Sequence, residues 1–215
     1  GIVNKEGSVL LAPNLGWTNI QLKEDLERIF NVPIIIENEA NAGAVGEQQF
    51  GAGQDYENIL YVSAGIGIGV GIILNKELYQ GKSGFSGEMG HMIIELNGKR
   101  CNCGSRGCWE AYASENALLE MAGENIDSLE SLIEHAKNGE KSAIELFEKI
   151  GQYLGFGINN IINTFNPDQV IIGNRLALLR EWIEEPILTT IENHTLAYHQ
   201  KEMQLEFSKL GKYST

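Results

Sequence analysis

Basic charge is scarce in this sequence. Sixteen lysines and arginines stand against 29 aspartates and glutamates, a formal charge of −13. That balance excludes a segment that itself grips a nucleic-acid phosphate backbone, though it does not exclude a DNA-binding domain attached elsewhere. Long apolar runs are also lacking, none approaching the roughly 20 residues that cross a bilayer. Cysteine is sparse: there are three, an odd number, and the first two are one residue apart. This excludes a disulfide framework and points to a reducing, cytoplasmic setting. There is no internal repeat or low-complexity tract.

What remains is an ordinary globular composition, 43% hydrophobic and 21% charged, over 215 residues, enough to bury a full core. The first residues suggest a hairpin, with Ile2-Val3 and Val9-Leu10 flanking the turn Asn4–Gly7. A loop at 13–17 leads to a helix capped by Thr18 or Asn19 and running to about Phe30. Pro33–Glu37 reads as a buried strand, followed from Asn38-Glu39 by an alanine- and glycine-rich helix to about Phe50. Residues 51–57 form the best linker. This places the end of a smaller lobe at 1–50 and a larger, metal-binding lobe at 51–215. Strands are expected at 59–63, 68–73, 92–95, 169–173 and 204–207, and helices near 114–122, 127–137, 141–165 and 176–191. Strands alternating with helices indicate an α/β architecture. The opening GIVNKEG and closing SKLGKYST read as mid-structure, so a fragment truncated at both ends is expected.

Every cysteine lies between Gly87 and Glu110. His91, Cys101, Cys103 and Cys108 form the spacing His-x9-Cys-x-Cys-x4-Cys. Three thiolates and an imidazole make a closed tetrahedral shell, which points to a structural zinc ion with no open position for catalysis. His135, His194 and His199 read as surface or interface residues. Glu88 and Glu110 bracket the cluster and are free to hold a ligand. Asn38-Glu39 sits where a strand meets a helix. The pair could cap that helix or could bond adjacent hydroxyls of a sugar. Glycines at 65, 67, 69 and 71 could cradle phosphate or simply leave packing space. They are not a dinucleotide fingerprint, because Val70 takes the place of the third glycine. Gly81-Lys82-Ser83 is no Walker loop, because Lys76 stands where the leading glycine belongs.

Taken together, ENEANAGA at 37–44, SAGIGIGVG at 63–71, GEMGH at 87–91, CNCGSRGCWE at 101–110, NTFNP at 163–167 and VIIG at 170–173 resemble the ROK family of repressors and sugar kinases. Within it the sequence looks most like the xylose-responsive transcriptional repressors. The resemblance implies the two-lobed actin-like ATPase/sugar-kinase (ribonuclease H-like) fold with a sugar in the cleft. It implies Asn38, Glu39, Glu88, His91 and Glu110 as the sugar-site residues, with Asn14 and Gly16 as weaker candidates. It implies Zn2+ on His91, Cys101, Cys103 and Cys108, with His91 serving both sites, and a homodimer.

Three departures from the kinase pattern bear on activity. Glu39 stands where the kinases carry the aspartate base, and a carboxylate displaced by ~1 Å can lose on the order of a hundredfold in rate. Ile66 replaces the threonine of Gly-Thr-Gly, and Asn174-Arg175 replaces Gly-Gly where adenosine would lie. The first phosphate loop and the helix-turn-helix of the family fall outside these residues. The expectation is a monosaccharide-sensing effector domain acting on operator DNA through a separate domain. An ATP-dependent hexokinase-type kinase and a plain zinc-stabilised sugar-binding module are the alternatives. Elemental analysis should find near-stoichiometric zinc, and Cys103→Ser should lower both zinc content and melting temperature. A metal-free chain of unchanged stability would contradict the cluster.

Overall fold

Asn75 and Lys76 both take positive φ, 52° and 65°. A left-handed pair of this kind is what a two-residue hairpin needs to match the twist of its strands. It joins β5 (Ile68–Leu74) to β6 (Glu77–Leu78), while β4 (Ile59–Ala64) pairs antiparallel with β5. β7 (Gln169–Gly173) then lies parallel to β4, and β8 (Gln204–Phe207) parallel to β7. The order is β6-β5-β4-β7-β8. All residues of β4 and β7 are buried, as suits central strands covered on both faces. The computed structural model describes residues 1–4, 6–12, 15–123, 126–200 and 203–210. Lys5, Pro13, Asn14, Asn125 and the last five residues, all in segments discussed above, lie outside these.

A smaller antiparallel sheet holds β1 (Ile2–Val3), β2 (Val9–Ala12) and β3 (Trp17–Ile20). The first hairpin is as expected, with Asn4 Oδ1 accepting the Ser8 amide at 2.8 Å. The helix expected from residue 18 is not: 17–20 is a strand, and α1 (Leu22–Phe30) begins only after Gln21. Trp17, Thr18 and Ile20 are strand-prone, and pairing with β2 satisfies their backbone. Pro33–Glu37 is likewise corrected. It forms no strand and pairs with none among the described residues, and Ile35 is 91% exposed. Strand propensity makes no strand without a neighbour.

Helix α2 (Glu39–Phe50) crosses one face of the five-stranded sheet, where Ala44 packs with Ile59, Tyr61, Ile73 and Ile171. Its approach depends on Gly71, where a Cβ would meet the Ala40 carbonyl oxygen at 2.2 Å. The opposite face carries the main core. There α3 (Glu110–Ala113), α4 (Glu115–Ala122), α5 (Leu129–Lys137), α6 (Lys141–Phe165) and α7 (Arg180–His194) gather around Trp109, Phe147, Leu154 and Ile158. A 3-10 turn, Arg175–Leu179, precedes α7, so that helix starts later than its apolar pattern suggests. Helix α8 (Ala197–Gln200) follows it. No helix among the described residues is long and apolar enough to cross a membrane.

The spaced glycines of α6 have the role their pattern suggests. Gly151 and Gly155 face α7, and Gly157 faces the Trp109 ring. A Cβ at Gly157 would lie 1.9 Å from Trp109 Cε2. Helix propensity alone predicts that Gly157→Ala stabilises by about 1 kcal/mol. Overpacking against a rigid, fully buried indole costs about 1–3 kcal/mol beyond any such gain. Urea unfolding should show a net loss; a variant as stable as the parent would remove this contact from the account.

Candidate functional site: a cysteine–histidine cluster beside a carboxylate-lined turn

Residues 89–108 fold into a compact knot with little regular structure. Met89–His91 is a single 3-10 turn. The strand expected at 92–95 is reduced to one bridge, Ile93 to Cys108. Ile93 is 61% exposed, so its apolar run finds no sheet to join. The Cys101 amide donates to the Ser105 carbonyl at 2.9 Å, and the Gly104 amide donates to the Cys101 carbonyl at 3.0 Å. This tight turn, with Gly104 at φ 94°, wraps Cys103 back toward Cys101.

The four expected ligands come together. His91 Nδ1 lies 3.7 Å from Cys101 Sγ, and Cys103 Sγ lies 3.7 Å from Cys108 Sγ. All four donor atoms fall within 4.8 Å of one another, so the cluster could hold a metal ion. Metal–ligand bonds of ~2.0–2.3 Å in a tetrahedron place ligand atoms ~3.5–3.8 Å apart, which the two short pairs match. None of the three cysteines is in a disulfide. Burial pushes the Cys101 thiol up and the Cys108 thiol up to about 12. For Cys103 burial is outweighed by the Ser105 amide and the neighbouring thiols, and its value falls. Thiols this close, two of them buried, resist ionising together, and a bound cation would reverse that preference.

Of the expected ligand-site residues, Glu39, Glu88 and Glu110 border the turn between β4 and β5. Glu110, first residue of α3, accepts the Ile68 amide on Oε2 at 2.9 Å. Glu88 precedes the 3-10 turn, beside Gly87, whose carbonyl accepts the Val70 amide at 3.0 Å. Glu88 Oε2 is 3.9 Å from His91 Nε2, so His91 turns one nitrogen to the cysteines and the other to this carboxylate. On the far side, Glu39 Oε1 accepts Ser63 Oγ at 3.4 Å and Asn174 Nδ2 at 2.5 Å.

Asn38 caps α2. Its Oδ1 accepts the amides of Ala40 and Asn41, at 2.8 and 3.4 Å, and its Nδ2 donates to the Gly1 carbonyl at 2.9 Å. Gly16 stands in the β2–β3 connection with open space around it, at φ 66°, and Asn14 is outside the described residues. Two amides of the glycine series are already engaged, Gly65 to the Gly67 carbonyl and Ile68 to Glu110. That weakens the phosphate-cradle reading of this stretch. Among the described residues Glu39 Oε2 and Glu110 Oε1 receive no hydrogen bond, which leaves two carboxylate oxygens able to accept from hydroxyl groups.

Sequence reasoning missed Ser63 as a partner and saw Asn174-Arg175 only as bulk. Asn174 has φ 66° and ψ −159°, a conformation that costs a non-glycine residue of order 1–3 kcal/mol. Its Oδ1 accepts the Arg175 amide at 2.8 Å, while Nδ2 donates to both Glu39 and Ser63. Arg175 bonds Glu115 at 2.6 Å and Glu130 at 3.0 Å. The only sequence signal for this bridge was two polar residues directly after the central strand β7.

The chain is 42% identical over 213 residues to the xylose repressor of Bacillus subtilis, covering 98% of this chain and 56% of that protein. It therefore spans little more than half the length of that relative. A ROK family glucokinase from Streptomyces griseus, solved with glucose and AMPPNP, superposes with a TM-score of 0.93 at 29% identity, covering all of this chain and 76% of that one. A ROK family transcriptional regulator, a homologue of the E. coli MLC protein, superposes at 0.88 with 31% identity, covering all of this chain and 58% of the other. These likenesses, with the strand order β6-β5-β4-β7-β8, give the α/β fold of the actin-like ATPases and sugar kinases. The ROK family model matches residues 1–214, and the chain belongs to the ROK family.

Proposed function

We propose that this chain is the sugar-sensing part of a ROK-type transcriptional repressor, with xylose or a related monosaccharide as its effector. The observation that carries the reading is the pair of open carboxylate oxygens, on Glu39 and Glu110, at a glycine turn two of whose amides, Gly65 and Ile68, are already engaged. Carboxylate acceptors suit a neutral polyol. Asn38, Glu39, Glu88, His91 and Glu110 form the sugar site. Zn2+ on His91, Cys101, Cys103 and Cys108 would act as a structural brace, holding the imidazole so that Nε2 faces the sugar. The 42% identity to a xylose repressor supports this sugar and this class of protein. The charge of −13 argues against phosphate-backbone contact by this chain and so supports DNA contact through a separate domain. The proposed setting is a cytoplasmic homodimer without membrane attachment, the dimer being what the ROK resemblance implies.

The effector acts only through a difference in affinity for two states of the protein. Coupling of this kind is worth about 5- to 150-fold in binding. At fixed salt, xylose added to the full-length protein should weaken operator binding by an amount in that range. Unchanged operator binding across a panel of pentoses and hexoses would sink the reading. The likeness to a glucokinase solved with glucose and AMPPNP supports a second reading, an ATP-dependent sugar kinase. A coupled ATP assay separates the two, since robust turnover rejects the repressor reading.

A further inference from the structure

Asn174 joins three elements that are far apart in sequence. It follows Gly173 at the end of β7, bonds Ser63 near the end of β4 at 3.0 Å, and bonds Glu39 at the start of α2 at 2.5 Å. We propose that Asn174 is a positioning residue for ligand recognition, its side-chain amide fixing the orientation of the Glu39 carboxylate. The class of ligand rests on the sugar reading above; the hydrogen bonds do not.

Every hydrogen-bonding position that decides the amide's orientation is used. The Arg175 amide requires an acceptor, so Oδ1 faces it, and Nδ2 must then face Glu39 and Ser63. Ser63 Oγ closes the triangle at 3.4 Å from Glu39 Oε1. The residue takes a backbone conformation that glycine adopts freely and asparagine does not, which marks a position where the side chain has a use. The bridge is backed from the other side. Arg175 is clamped to Glu115 and Glu130, and the Glu115 amide donates to the Gly65 carbonyl at 2.8 Å. An unfettered glutamate on the first turn of a helix samples several rotamers. Tying Oε1 leaves Oε2 presented in one place, so less freedom is lost when a ligand arrives.

The test combines calorimetric titration of xylose with urea unfolding, on the full-length protein and its variants. Asn174→Gly suits the backbone, so the fold should persist while sugar affinity falls about tenfold, the scale of one hydrogen bond to a charged group. Asn174→Asp keeps the acceptor for the Arg175 amide but sets a like charge beside Glu39. It should lose more affinity than Asn174→Gly and lower the unfolding midpoint. Adding Glu39→Gln to Asn174→Asp reverses donor and acceptor across the same bridge and should restore that midpoint, which reports the bridge itself. The positioning role is read from Asn174→Gly, where xylose affinity falls while the midpoint holds, a split that a merely structural role would not give. Parent-like xylose affinity in Asn174→Gly overturns the inference while leaving the sugar reading intact. If the parent takes no monosaccharide, the sugar reading falls. The double variant then decides the bridge alone: recovery upholds it, and no recovery overturns it.

Discussion

The indole of Trp109 is fully buried, seated on Gly157 of α6, with its Nε1 donating to the Tyr153 carbonyl at 2.8 Å. Burying a tryptophan removes about 150–250 Å² from water, on the order of 5 kcal/mol at ~25 cal/mol per Å². Its immediate neighbours are Cys108, in the cysteine–histidine cluster, and Glu110, whose carboxylate accepts from the β4–β5 turn. One anchored ring therefore fixes the register of both halves of the site. The Trp109 amide, donating to the Met92 carbonyl at 2.8 Å, ties the His91 arm to the same anchor. The knot between residues 89 and 108 has little regular structure of its own, so its geometry depends on this insertion.

Charge around the turn is one-sided. Glu39, Glu88 and Glu110 lie near it, while the nearby cation, Arg175, is paired with Glu115 and Glu130. Carboxylates with no cation beside them repel a phosphate and accept from hydroxyls. A methylene in Glu39, an isoleucine at 66 and an asparagine at 174 change what can approach, while the scaffold stays close to that of a glucokinase.

Much of this was legible in the sequence, where local rules and tertiary packing agree. The spacing on α6 gave its full length, and its glycines announced a close neighbour. The cysteine spacing gave a cluster because a short loop cannot scatter four ligands. The apolar runs at 59–63 and 169–173 read as strands because central strands need no alternation, and β4 extends only one residue further, to Ala64. Residues 17–20 and 33–37 misled for opposite reasons. The first are drawn into a sheet by β2, and the second have strand-forming side chains but no partner among the described residues. The Asn174 bridge was not readable, since it joins positions 39, 63 and 174, and no local pattern reports a contact of that span.

The parallel pairing of β4 with β7 has a consequence in time. Ile59 meets Gln169 only after the whole of α3 to α6 has been threaded between them, and Asp168 fastens that junction by accepting the Asn58 amide at 2.8 Å. Contacts of such separation form slowly, because loop closure must precede any reward. The thiolate cluster draws on residues 91–108 alone and needs no such closure. On a growing or refolding chain the order is therefore set by topology. The knot can gather its four ligands early, the central sheet zips later, and only then can Asn174 reach Glu39. The Asn174 bridge is thus the last of these features to assemble, so a chain caught part-way would hold His91 and the three cysteines together before Glu39 is tied down.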